Sequence, residues 1–540
     1  MKNRIILTGL LALTAVRSHG GSTNFAVTNF TWTGTAGSAF GSAGNWLMDQ
    51  PTNNTAASGP PNATGGQDNV IFQGGVNNRI VDLGSTAWNV RGLEFNSTGG
   101  DNSFLFKASG LLPSSTLFGF NLRPGGVISH EVDGIFFDVP IKLLTYGGGN
   151  LDLGTTVAIT AEAGPLVFSG NWSSGVAGKA TIDVNGGTLV FNATGDITVG
   201  AANTAGIISS STGTGAIVKN GTGNLYLNGT AANTWSGSTT INAGTVFAAK
   251  NDALGTSAAL ILNGGILDVG GFSQNVGAVT QTGGAINGSG TIYGTSFSFQ
   301  SGSYGVQFAG SGAFTKTGSG AVTLTAANTY SGGTLVNGGT LRINNTSGSG
   351  TGSGAVSVNN GGVLAGNGSV SGAVAINSGG AIAPGNGPGT FTTGGQTWNG
   401  GGGASFAINR ASGSAGTDPG WSLLQVNGTL ALNATSANPF TIDVTSLTLG
   451  DTPGLVSDLN AGAPYDWLFV RTTGGVIGFD AADFRVTKGN FGNNPDATFT
   501  VVLENGNTEL HLTYVPEPAT VSLFCLGAGA ALFAFRRRKA

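Results

Sequence analysis

The sequence predicts an all-β solenoid, a stack of coils made of short strands. Three observations predict it. Residues 215–249, GAIVKNGTGNLYLNGTAANTWSGSTTINAGTVFAA, recur at residues 312–344 as GAFTKTGSGAVTLTAANTYSGGTLVNGGTLRIN. Within each copy apolar and polar residues alternate with a period of two, the pattern of a strand with one buried side. The chain also carries 97 glycines in 540 residues and only 9% charged residues, yet 39% are hydrophobic, which fits a packed, turn-rich β structure better than a flexible tail.

The repeat aligns residue by residue. Lys219 matches Lys316, Gly221 and Gly223 match Gly318 and Gly320, and Leu227 matches Leu324. After a two-residue deletion Asn233, Trp235, Ser236 and Gly237 match Asn328, Tyr330, Ser331 and Gly332, and Gly244–Thr245 match Gly339–Thr340. Strands of this kind could also build a sandwich or a barrel. Repetition favours the solenoid, because each unit buries its inner face only by stacking on its neighbours. Leu225, Leu227, Val322, Leu324, Leu341 and Ile343 are then expected inside, with Tyr226, Thr323 and Arg342 outside.

The motif K-x-G-x-G, then A-A-N-T-[WY]-S-G, then G-T-hydrophobic resembles the autotransporter-associated beta-strand repeat. The resemblance implies a right-handed parallel β-helix of the kind found in secreted bacterial surface proteins. Residues 263–271 (NGGILDVGG) and 359–389 resemble weaker turns of the same ladder.

Taken in order, residues 1–20 read as a signal helix: Lys2 and Arg4 precede the apolar core IILTGLLALTAV, and such a segment is removed on export. Residues 21–200 form an N-terminal β-rich part of the solenoid. Its Trp32-x-Gly and Asn45-Trp46 resemble openings of proteins with this repeat, and the aromatics could cover the open end of the ladder. A carbohydrate platform is the functional alternative for Trp32 and Trp46. Many short strands follow, with turn signals every 8–12 residues. His130, Glu131, Asp133 and Asp138 cluster here without a catalytic spacing, so strand-end charges are the ordinary explanation. The GNWSSGVAGKA stretch fails the phosphate-loop pattern at Ser173 and at Ala180. Residues 201–395 carry the β-helix with both repeats, and residues 396–514 a C-terminal β region of about six strands that caps the ladder. Only 25 residues follow Val515, so an outer-membrane barrel of the autotransporter type is not expected.

Residues 515–540, VPEPATVSLFCLGAGAALFAFRRRKA, join Pro516, Glu517 and Pro518 to an apolar run and a basic cluster of Arg536, Arg537, Arg538 and Lys539. This tripartite form resembles the PEP-CTERM sorting signal. The resemblance implies cleavage by an exosortase, a membrane protease-transferase of Gram-negative bacteria that make extracellular polysaccharide. The apolar run 520–535 has 16 residues, about 24 Å as a helix. That is slightly short of a usual span, but Arg536–Arg538 can snorkel to the interface and a basic flank stays cytoplasmic. A single transmembrane helix would thus hold the chain in the inner membrane before processing.

Composition narrows the function. The single cysteine, Cys525, allows neither an intramolecular disulfide nor a cysteine-based zinc site. Lys2, Arg4, Arg17 and the four basic residues at the end account for seven positive charges, and removing them takes the net charge from −4 to −11. Such a body is a poor nucleic-acid ligand. Of the three histidines, only His130 and His511 lie outside the signal segment. No G-x-S-x-G elbow, H-E-x-x-H, EF-hand or calcium nonapeptide array is present. Composition thus points to a non-catalytic protein with no cofactor and no catalytic or metal residue, and the two resemblances imply an exported surface or matrix protein partnered by an exosortase and by exopolysaccharide. A carbohydrate-binding adhesin and a polysaccharide-processing enzyme on the same scaffold are the competing readings.

Overall fold

The computed structural model describes the strands between Asn29–Trp32 and Leu166–Phe168 by their backbone pairing, and then residues 182–184, 187–200, 208–209, 214–230, 232–493 and 498–516. The described chain is all-β, and its one helical element is the 3-10 turn Ala481–Asp483. The expected signal helix at 1–20 and the expected membrane helix at 520–535 lie outside the described residues. Among the described residues no helix is long and apolar enough to cross a membrane.

The strands stack in parallel, coil upon coil, in a 23-stranded sheet, sheets of nine and ten strands, and smaller sheets of three and five. The largest sheet shows how. Phe191 pairs with Lys219, Lys219 with Ile241 and Ile241 with Leu262. The column continues through Gln281, Phe299, Lys316 and Val336, then through Val358, Ile376, Trp398 and Leu432. Every member is buried. In the second direction Leu225 pairs with Val246, and Val322 with Leu341 and then Leu364.

All six residues expected inside are at most 2% exposed, and Tyr226, Thr323 and Arg342 face outward. Period two decides this, since one buried face leaves each strand a single satisfactory register. The interior is closed by large aromatics. Phe299 and Phe314 stack at 5.2 Å, Phe314 and Tyr330 at 5.7 Å, and Trp398 and Phe440 at 4.3 Å. Each such ring removes ~150–250 Å² of surface from water.

A corner of the coil is bound by an asparagine ladder. Asn220 Nδ2 donates to Asn192 Oδ1 (3.0 Å), Asn242 to Asn220 (2.8 Å) and Asn263 to Asn242 (2.8 Å). Farther on, Asn359 donates to Asn337, Asn377 to Asn359, Asn399 to Asn377 and Asn433 to Asn399, at 2.7–3.2 Å. Each side-chain amide both donates and accepts, so identical residues satisfy one another from coil to coil.

Both ends of the ladder carry antiparallel strands. At the start Asn29–Trp32 pairs antiparallel with Trp46–Gln50, placing Trp32 opposite Trp46 in register, and parallel with Asn69–Gln73. At the far end Thr498–Glu504 and Glu509–Val515 form a hairpin, and Glu509–Val515 runs antiparallel to Tyr465–Thr472. The hairpin ends the run of parallel strands in the five-stranded sheet, whose open edge would otherwise invite another chain. Its inner face packs Trp467, Phe491, Phe499 and Tyr514 together.

Candidate functional site

The repeat motif builds a buried cage. Lys219 and Lys316 stand in the inward column of the largest sheet, two residues after Ile217 and Phe314, and neither is exposed. Each stem lies in the core while the ammonium curls to the corner. Lys316 Nζ donates to Thr317 O (2.6 Å), Gly318 O (2.9 Å) and Gly338 O (2.9 Å). Lys219 Nζ donates to Asn220 O, Gly221 O and Ala243 O at 2.6–3.3 Å. Three carbonyls match the three donors of an ammonium, which makes the buried charge tolerable. Burial still pushes Lys219 down to about 8, against a pull upward from Asp196, and it lowers Lys316 too.

The glycines of the motif make room for this cage. A Cβ on Gly339 would lie 2.8 Å from Lys316 Nζ and 2.3 Å from Gly320 O, and Gly339 has φ +60°. Gly244 repeats this geometry against Lys219 Nζ and Gly223 O, with φ +67°. The lysine and the distant glycine of the motif are thus one unit.

The A-A-N-T-[WY]-S-G segment is a clip across three coils. Buried Asn328 accepts from Phe308 N (2.7 Å) on one side and donates to Gly350 O (2.6 Å) on the other. Asn233 does the same between Ile208 N and Ala253 O. Two residues on, the Tyr330 hydroxyl pairs with Thr334 Oγ1 (2.7 Å), and Trp235 Nε1 donates to Thr239 Oγ1 and Ser257 Oγ. These are structural roles.

Of the sorting residues, Pro516 is described and Glu517, Pro518, Arg536, Arg537, Arg538 and Lys539 lie outside the described residues. The last strand ends at Val515, opposite Thr498, and Pro516 follows it directly. Val515 is already half exposed. The last described strand therefore abuts the Pro-Glu-Pro segment in sequence.

His130, Glu131, Asp133 and Asp138, and the side chains of Trp32 and Trp46, lie outside what is described. His511 is described: its Nδ1 meets Asp466, and its Nε2 meets no hydroxyl or thiol nucleophile. That geometry is not a Ser-His-Asp arrangement.

Comparison with known proteins bears on both features. The family model Passenger-associated-transport-repeat matches residues 217–246 and 314–343, the two copies of the cage and clip. The PEP-CTERM protein-sorting motif matches residues 515–539, a signal of exported proteins. Over 187 residues, 33% of this chain, the sequence is 34% identical to the Adhesin BmaC autotransporter of Brucella suis biovar 1 (strain 1330). The chain spans 5% of that relative's length.

Proposed function

We propose that this protein is a non-catalytic surface or extracellular-matrix rod, a right-handed β-helix delivered by an exosortase that acts on its tail. One observation carries the reading: the sorting motif begins at the residue where the last strand ends. A folded β-helix has no loose end of its own. Prolines at 516 and 518 fix φ and withhold two backbone donors, which favours the extended form that a protease groove accepts. Residues 520–535 hold it at the membrane until cleavage, with Arg536–Lys539 on the cytoplasmic side. The released rod, acidic and rich in outward hydroxyls and amides, lies in or on the exopolysaccharide layer.

Mass spectrometry of the exported protein tests this. The expected C-terminus lies at or near Pro516–Pro518. Replacing Pro516, Glu517 and Pro518 by alanine should leave a full-length precursor in the inner membrane with its β-sheet spectrum unchanged. Exported material that still ends at Ala540 would rule the mechanism out. A second reading, an adhesin, is favoured by the printed name of the Brucella relative. It calls for saturable binding of the released rod to a glycan or a host surface.

A further inference from the structure

The C-terminal cap carries a cluster of side chains that neither delivery nor the solenoid uses. Glu509–Val515 is the middle strand of its hairpin sheet, with Tyr465–Thr472 on one side and Thr498–Glu504 on the other. Leu510, Leu512 and Tyr514 point into the core. His511 therefore rises from the opposite face, between Leu468 and Val502 in register. Its Nδ1 lies 2.9 Å from Asp466 Oδ2. Its Nε2 lies 3.6 Å from Glu509 Oε2 and 3.8 Å from Glu504 Oε2. The His511 side chain is 13% exposed, and Nε2 itself is shut off from solvent without a hydrogen-bond partner.

We propose that this is a binding site for a divalent transition-metal cation of the zinc type, held by His511 Nε2, Glu504 and Glu509. Four features support it. Asp466 holds Nδ1 and leaves Nε2 as the other ring nitrogen, the carboxylate–histidine arrangement that orients a metal-ligating imidazole. Donor atoms that share one ion at ~2.0–2.2 Å stand roughly 3.3–3.6 Å apart, and His511 Nε2 stands 3.6 Å from Glu509 Oε2 and 3.8 Å from Glu504 Oε2. Glu504 and Glu509 are directly opposite each other across the hairpin, a like-charge pairing that costs stability unless a cation lies between. Arg471 meets Glu509 at Oε1, at 2.8 Å, while Oε2 is the oxygen that faces His511 Nε2. Three carboxylates and one guanidinium around the ring place net negative charge at the cluster. One nitrogen and two carboxylate oxygens suit zinc and its neighbours better than calcium or magnesium. The bound ion would clamp the hairpin at its turn end, across Glu504 and Glu509.

The test is a zinc titration of the full-length chain in detergent, in metal-free buffer, read by calorimetry and by the visible absorption of cobalt as a substitute. One ion per chain is expected. His511→Ala should abolish the cobalt bands, Glu504→Gln should weaken binding at least tenfold, and Asp466→Asn about 10–100-fold through its hold on the imidazole. All three side chains stand on the face away from the core, so the variants should keep their β-sheet spectrum. Zinc should raise the unfolding midpoint of the wild type but not that of His511→Ala. No zinc or cobalt binding, or binding unaltered by His511→Ala, would overturn the proposal. So would a cap stabilised by acid through His511 and indifferent to zinc, since that marks an imidazolium ion pair.

Discussion

The Lys316 ammonium lies 2.9 Å from the Gly338 carbonyl oxygen, one coil along the solenoid, inside a core where its column neighbours are Phe299 and Val336. The repeat is thereby tied across coils by a charge. Lys316→Met keeps the stem and removes the donors, leaving Thr317, Gly318 and Gly338 carbonyls without them. An unsatisfied buried acceptor costs about 1–3 kcal/mol, while loss of the ammonium's desolvation returns part of it. A net destabilisation of ~1–3 kcal/mol is expected in urea unfolding. A variant as stable as the wild type would show that the cage contributes nothing.

The same cage gives a pH dependence. Burial holds Lys219 at about 8 against an ordinary 10.5. Below about 8 the amine is charged in both folded and unfolded chains. Between there and 10.5 the unfolded chain binds more protons, so stability rises with pH across that window. Lys250 is also lowered to about 8 by burial, so the comparison has to be differential. The wild type should gain stability over Lys219→Met between pH 7.5 and 10, and parallel curves for the two would refute the assignment.

Gly339 and Gly361 separate crowding from backbone strain. Both have positive φ, +60° and +77°, but a Cβ on Gly361 meets nothing within 4 Å. Gly361→Ala should cost about 1 kcal/mol, the penalty of the left-handed region alone. Gly339→Ala adds a collision with the Gly320 carbonyl and Lys316 Nζ, and should cost several kcal/mol more than that. Equal midpoints for the two variants in thermal unfolding would contradict the geometry.

How much of this was legible differs from residue to residue. The inward set around Leu225 and Leu324 was, because alternation maps directly onto the two faces of a strand. Lys219 and Lys316 are landmarks of the repeat, but a lysine's burial is not evident from its type. The signal was there: each stands two residues after an apolar inward residue, on the same face. A lysine reads as exposed unless the carbonyls that receive it are known, and one of the three comes from a turn some twenty residues away. Asn233 and Asn328 align in the repeat, but their partners lie on neighbouring coils that the alignment does not name. The grouping of His511 with Asp466 and Glu504 needs the order of antiparallel strands in the cap, which no local pattern carries. The sorting tail lies at the other extreme, legible in full as sequence although its residues beyond Pro516 lie outside the described ones.

Asn328 offers the sharpest test of the clip. Its two hydrogen bonds reach the coil before and the coil after, and all three groups are buried. Asn328→Leu keeps a similar volume but strands the Phe308 N–H and the Gly350 carbonyl together, at ~1–3 kcal/mol for each group. Asn328→Asp still accepts from Phe308 but sets a carboxylate against the Gly350 oxygen, so it should be worse at pH 7 and recover partly in acid as the carboxyl gains a proton that it can donate. Asn359→Ala is the control, since Asn359 lies at the partly open ladder corner and should cost at most about 1 kcal/mol. Solenoid coils are coupled mainly to their neighbours, so the damage should stay local. Hydrogen exchange should rise first around Phe308, Asn328 and Gly350 while the cap at Trp467 remains protected. Uniform exchange along the whole chain would mean that the clip is not what joins these coils.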